Sequence, residues 1–195
     1  MRSDSRSHPP PVPSPVRRVL RDRRGLTTLE LALVSPVLIA GMIALAEVSY
    51  SLTVDGLLNH AARAAARSGF TGELGSGFTD RRAQVCDTVY RLTSRVLDQS
   101  RLSVRSHSYA SFTTLGQING GIPPSSSLTD LNCGSADWDA NQTGAALGGS
   151  GQVVVYTLRY TQPVLTGLGA TVLGRAELIH EARLAVRNEP FMVGE

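Results

Sequence analysis

Apolar residues are distributed very unevenly along this chain. From Leu29 to Ala46 they run almost without a break, LELALVSPVLIAGMIALA. Eighteen helical residues rise about 27 Å, close to the thickness of a bilayer's hydrocarbon core, so the stretch predicts a membrane-crossing helix. Beyond it the pattern changes rather than stops. Val54, Leu57, Leu58, Ala61, Ala62 and Ala65 recur at spacings of three and four, as in a helix with one buried face. Arg63 and Arg67 fall on another face, and Gly69 offers a cap after Ser68. One helix over residues 26–68, roughly 60 Å long, is therefore expected, half in the membrane (about 29–46) and half packed on a domain.

The remainder reads as a small α+β domain over residues 69–195. A glycine-rich turn, Gly69 to Gly77, precedes a second helix over residues 80–99, with Val85, Val89, Leu92 and Val96 as its apolar stripe. Residues 101–112 alternate through Leu102, Val104, Ser106, Ser108, Ala110 and Phe112 and predict a strand. From about 113 to 151 the composition turns to Gly, Ser, Asn and Pro, a long flexible surface loop that carries Cys133 and Trp138. Val153 to Pro163 predicts a second strand. Glu177 to Arg187 predicts a third, half-buried through Leu178, His180, Ala182, Leu184 and Val186.

Charge sharpens the membrane reading. All 19 basic residues are arginine, and seven of them lie in the first 25 residues beside only Asp4 and Asp22. Residues 26–195 then hold 12 arginines against 14 acids, so the basic pI belongs to the leader and not to the domain. A nucleic-acid binder carries its positive charge on the folded part, which excludes that class. Residues 1–16 are rich in Ser and Pro and cannot bury a core. Arginines before the apolar run, and none after it until Arg63, place the N-terminus in the cytoplasm and the domain outside.

Candidate chemistry is sparse. The two cysteines, Cys86 and Cys133, show no CxxC spacing and no nearby histidine pair, so no zinc site is expected. In an exported domain they suggest one disulfide, and in a cytosolic one two buried thiols. No G-x-S-x-G, H-E-x-x-H or paired carboxylates point to catalysis, and no cofactor is expected. Asp137-x-Asp139-x-Asn141 begins like a calcium loop, but Gln142 replaces the turn glycine and Gly148 the bidentate glutamate. A solvated acidic turn is the better reading. His180, on the inward face of its strand, reads as a core histidine rather than a ligand.

The most specific feature is Arg23-Arg24-Gly25-Leu26-Thr27-Thr28-Leu29-Glu30 leading directly into the apolar run. It resembles a type IV prepilin processing site, in which a membrane peptidase cuts after the glycine and a glutamate stands at mature position five. The pattern continues with Glu30-Leu31-Ala32-Leu33-Val34-Ser35-Pro36, then Glu47 and Tyr50, then Ala61-Ala62-Arg63-Ala64-Ala65-Ala66-Arg67. With the closing Val186-Arg187-Asn188-Glu189-Pro190, this is similar to the TadE-like minor pseudopilins of the Tad/Flp (tight adherence) pilus system.

The resemblance implies a pilin-like fold and no enzyme. It also implies cleavage by a prepilin peptidase between Gly25 and Leu26, with removal of a cytoplasmic basic leader, residues 1–25. Glu30 would meet the new ammonium of Leu26 in a neighbouring subunit. Partners would be that peptidase, other pilin subunits and Tad inner-membrane assembly proteins, with a single span in the bacterial inner membrane. Glu30 could instead snorkel to the interface from one turn into the helix. Pro36 admits two readings, a harmless kink or a local melt that eases exit from the bilayer. The competing expectation for the chain is a secretory signal, in which Ala44-Leu45-Ala46 precedes a cut and a free domain begins at Glu47.

Overall fold

The protein is described by a computed structural model covering residues 26–118, 127–134 and 146–190. The basic leader with Gly25, the sequence around Trp138 and the Asp137–Asn141 turn lie outside the described residues. The chain divides into two compact units, residues 1–43 and 44–195.

Helix α1, Leu26–Phe70, supplies residues to both units and stays helical on either side of Pro36. In the first unit its apolar side chains point outward in every direction: Leu29 is 68% exposed, Leu33 79%, Val37 71% and Met42 71%. A core helix of a soluble domain would bury most of these. This one is long and apolar enough to cross a membrane, by length and composition.

In the second unit, α1 residues 44–70 belong to an α+β fold. Helix α2, Arg81–Thr93, is started by Asp80, whose carboxylate accepts from the Ala83 N–H at 2.6 Å. It buries Val85, Cys86, Val89 and Thr93 at helical spacing. A 3-10 turn, Gln99–Arg101, leads into strand β1, Leu102–Tyr109. A short helix α3, Phe112–Gly116, strand β2, Thr129–Asp130, and strand β3, Val153–Pro163, follow. Helix α4, Gly167–Leu173, ends on Gly174 in the left-handed conformation, which glycine adopts without strain. Strand β4, Glu177–Arg187, completes a four-stranded sheet of order β2-β1-β3-β4, antiparallel throughout.

Alternation along the strands sets two faces. Val154, Tyr156, Leu158 and Tyr160 of β3, with Leu102, Val104 and Ala182 beside them, form one core with Val54, Leu58, Ala61, Ala62 and Ala65 of α1 and with Val85 and Val89 of α2. On the opposite face Val153 and Val155 pack with Tyr109 and Leu115. Cys86 of α2 and Cys133 are joined by a disulfide.

Three local differences from the sequence reading have physical causes. The second helix ends at Thr93 rather than near 99, and a turn there buries Leu97 and leaves Val96 exposed. Strand β1 stops at Tyr109 because the Ser111 hydroxyl accepts from the Thr114 N–H, starting α3 in place of the alternation through Phe112. Within the stretch read as a loop, α3 and β2 form, and Leu131, Ala146 and Leu147 are buried.

Candidate membrane and assembly segment

The described part of α1 begins at Leu26. Glu30 is exposed one turn into the helix, among Leu29, Leu31 and Leu33, which are exposed as well. It is the only ionisable residue between Leu26 and Ile43. The segment therefore offers one carboxylate on an otherwise apolar rod. A carboxylate in such surroundings is retained at a cost of up to a few kcal/mol and usually marks a function.

From Ala44 onward α1 is held by the domain through contacts along its length. Glu47 is 8% exposed, and its Oε1 accepts from the Thr166 N–H at 2.9 Å and from the Thr166 hydroxyl at 3.2 Å. The same hydroxyl accepts from the Gly169 N–H at 3.0 Å, so the glutamate is joined to the residue that caps α4. Tyr50 packs against the core. Two turns on, Asp55 Oδ1 lies 2.7 Å from Nδ1 of the buried His180 on β4. His180 is thus paired within the fold, in the role of a core histidine.

The alanines of the Ala61–Arg67 segment have a steric purpose. Ala61, Ala62, Ala65 and Ala66 are buried, while Arg63 and Arg67 are exposed. Small side chains let the helix backbone lie close against the sheet. The limit is reached at Gly69, where a Cβ would sit 2.0 Å from the Tyr156 hydroxyl. Burial pushes that phenol up to about 12, while the nearby Arg81 pulls the other way.

The end of α1 is fastened by residues whose roles their sequence spacing does not show. Arg81 donates to the carbonyls of Gly69, Leu147 and Gly148, and its burial lowers its affinity for a proton. Arg82 donates to the carbonyls of Leu131 and Asn132, immediately before Cys133. Asn188 Nδ2 donates to Leu147 O and Gly149 O, and the Glu189 N–H donates to the terminal carbonyl of α1, Phe70 O. The closing Asn188-Glu189 pair thus ties the 147–149 segment and the end of α1 to the end of β4. Among the described residues no group of His, Cys, Asp and Glu is placed to hold a metal ion.

Residues 25–67 match the model of a family described as TadE-like protein. Over that segment the chain is similar to TadE-like proteins, a family of pilus-associated structural proteins rather than enzymes. No curated protein and no solved structure matches the chain.

Proposed function

We propose that this chain, TadE-like through its N-terminal helix, is a minor pilin or pseudopilin that takes part in assembling a Tad/Flp-type adhesive pilus. On this reading residues 1–25 are a cytoplasmic leader removed by a prepilin peptidase between Gly25 and Leu26. Helix α1 crosses the inner membrane over about residues 29–46, and residues 69–195 lie outside the cytoplasm. The observation that carries the reading is a coincidence. The family match begins at the Gly25–Leu26 junction and covers the stretch of helix whose apolar side chains are exposed on every side.

The chemistry follows from Glu30. Inside an apolar bundle its carboxylate needs a counter-charge, and cleavage after Gly25 would create one as the α-ammonium of Leu26. Pairing Glu30 of one subunit with Leu26 of its neighbour offsets the desolvation of both and fixes their axial stagger. Export would put Cys86 and Cys133 where a disulfide persists. The alternative cut, after Ala46, would remove the helical turn before Glu47, whose side chain is buried and bonded to Thr166. That bond favours an uncut helix.

The N-terminal residue of the mature protein, determined by mass spectrometry beside a Gly25→Ala variant, tests the proposal. Leu26 as the terminus, lost in the variant, supports pilin processing. Glu47 as the terminus overturns it in favour of a released domain. Deleting the protein should abolish surface attachment; normal piliation without it would remove the assembly role and leave the processing intact.

A further inference from the structure

The connection between β3 and β4, Val164–Ala176, is composed almost wholly of apolar and small residues, VLTGLGATVLGRA, with Arg175 its one charge. Leu165 is 54% exposed, and Thr171, Gly174 and Arg175 are exposed too. Its base is closed by the Val164 N–H donating to Ala176 O, so it is a folded projection at one end of the sheet. Beside it on β4, Ile179 is 57% exposed. Two exposed large apolar residues at one end of the sheet need a reason in a protein whose strands otherwise direct their apolar residues inward.

Its position supplies one. Thr166 is bonded through both its N–H and its hydroxyl to Glu47. Glu47 is the first residue after the apolar run that ends at Ala46. If that run fills the hydrocarbon core, Glu47 lies at the headgroup level, and so must whatever its carboxylate holds. Leu45, Val48 and Leu52 of α1 are 69%, 56% and 66% exposed around the same level. The structure therefore assigns a second membrane contact. We infer that Val164–Ala176 docks into the headgroup region of the bilayer that α1 crosses, with Leu165 inserted and Glu47 fixing its depth.

The inference rests on the membrane-anchor reading above, and it adds what that reading lacks, a fixed height of the domain on the lipid surface. The contact is apolar apart from Arg175, since Arg101 at that end of the sheet is already paired to Glu177 at 3.0 Å. Docking should accordingly depend little on salt.

Depth-dependent quenching in the full chain tests it. The two native cysteines are joined, so a third cysteine is a unique labelling site. A bimane label would be placed at Leu165→Cys, at Thr171→Cys, at Phe112→Cys by the other end of the sheet, and at Leu38→Cys within the apolar run. The proteins would be reconstituted in phosphatidylethanolamine–phosphatidylglycerol vesicles carrying a nitroxide lipid labelled either near the headgroup or near the end of the acyl chain. The label at Leu38 should be quenched by the deep nitroxide, and those at Leu165 and Thr171 by the headgroup nitroxide. Each should be quenched about threefold more than the label at Phe112, as for groups in the hydrocarbon core and at the headgroup–acyl boundary. Quenching at Leu38 with Leu165 and Thr171 no different from Phe112 overturns the docking and leaves the anchor standing. No quenching at Leu38 overturns the anchor, and the docking with it.

Discussion

The two stretches of α1 have the same backbone conformation and opposite surroundings. Residues 28–43 expose apolar side chains on all sides, whereas from Val54 to Ala66 every third or fourth residue is buried and Arg63 and Arg67 face out. What differs in sequence is periodicity as well as helix propensity, which Pro36 lowers in the first stretch and the alanines raise in the second. The first stretch is uniformly apolar, and in a bilayer it would be helical because its backbone groups have no other partner. The second is helical because an amphipathic face is packed on a sheet and a second helix. A perturbation of packing should therefore be felt only in the second stretch, which gives a series of ways to break the comparison.

The largest expected effect is loss of the Cys86–Cys133 bond. It spans 47 residues, and in the chain-entropy model a loop of that size stabilises the fold by about 4 kcal/mol. Cys133→Ser should lower the stability of residues 44–195 by that order, measured by urea unfolding in micelles with near- and far-ultraviolet circular dichroism. Helicity from the apolar stretch should survive the transition; its loss in the same step would show the two stretches to be one cooperative unit. Next is Leu58→Ala. Leu58 is fully buried, and such truncations cost roughly 2–5 kcal/mol including the cavity. Leu38→Ala, 58% exposed before truncation, should leave the same unfolding curve unmoved.

How far the sequence could be read follows the same division. Strands β3 and β4 were legible to the residue, because β-branched runs and strict alternation are bounded by Gly151, Pro163 and Arg187. The N-terminal segment was legible because its signal is a motif at fixed spacing. Helix α4 was not, being rich in glycine, and β2 was too short to show a period. The arginines that fasten the helix ends were hidden for another reason. Arg81 and Arg82 look like ordinary charges at a helix start, and only the fold brings Gly69, Leu131 and Leu147 to them. The Glu47–Thr166 contact joins residues 119 apart, a distance at which no local pattern operates.

Glycine gives a sharper version of the comparison. Gly41 has nothing within 4 Å of the position a Cβ would take, whereas at Gly69 that position is 2.0 Å from the Tyr156 hydroxyl and 3.3 Å from Val85. Tyr156 is itself fully buried. Gly69→Ala should destabilise the domain by about 2 kcal/mol through overpacking. Gly41→Ala should not lower it at all. Adding Tyr156→Phe should recover part of the Gly69→Ala loss, since the nearest clashing atom is gone; a purely additive cycle would show that the strain lies elsewhere.

The smallest effect is a pH dependence that only the packed stretch and its domain can produce, since Glu30 is the sole ionisable residue of α1 before Ala44. The Tyr156 phenol is raised from 10.0 to about 12 by burial. Below pH 10 it is protonated in both folded and unfolded chains, and its contribution is fully present. As pH rises from 10 toward 12 the unfolded chain ionises first, so stability falls, by about 1 kcal/mol at pH 11. Burial raises Tyr50 and Tyr90 in the same direction. Tyr156→Phe should therefore flatten the alkaline slope without abolishing it. At pH 7 the same variant should be neutral or slightly stabilising, because the hydroxyl it removes is buried without a hydrogen-bond partner. An unchanged alkaline slope in the phenylalanine variant would mean that the phenol reaches water in the folded protein, and that the seam between Gly69 and β3 is looser than the close approach at Gly69 requires.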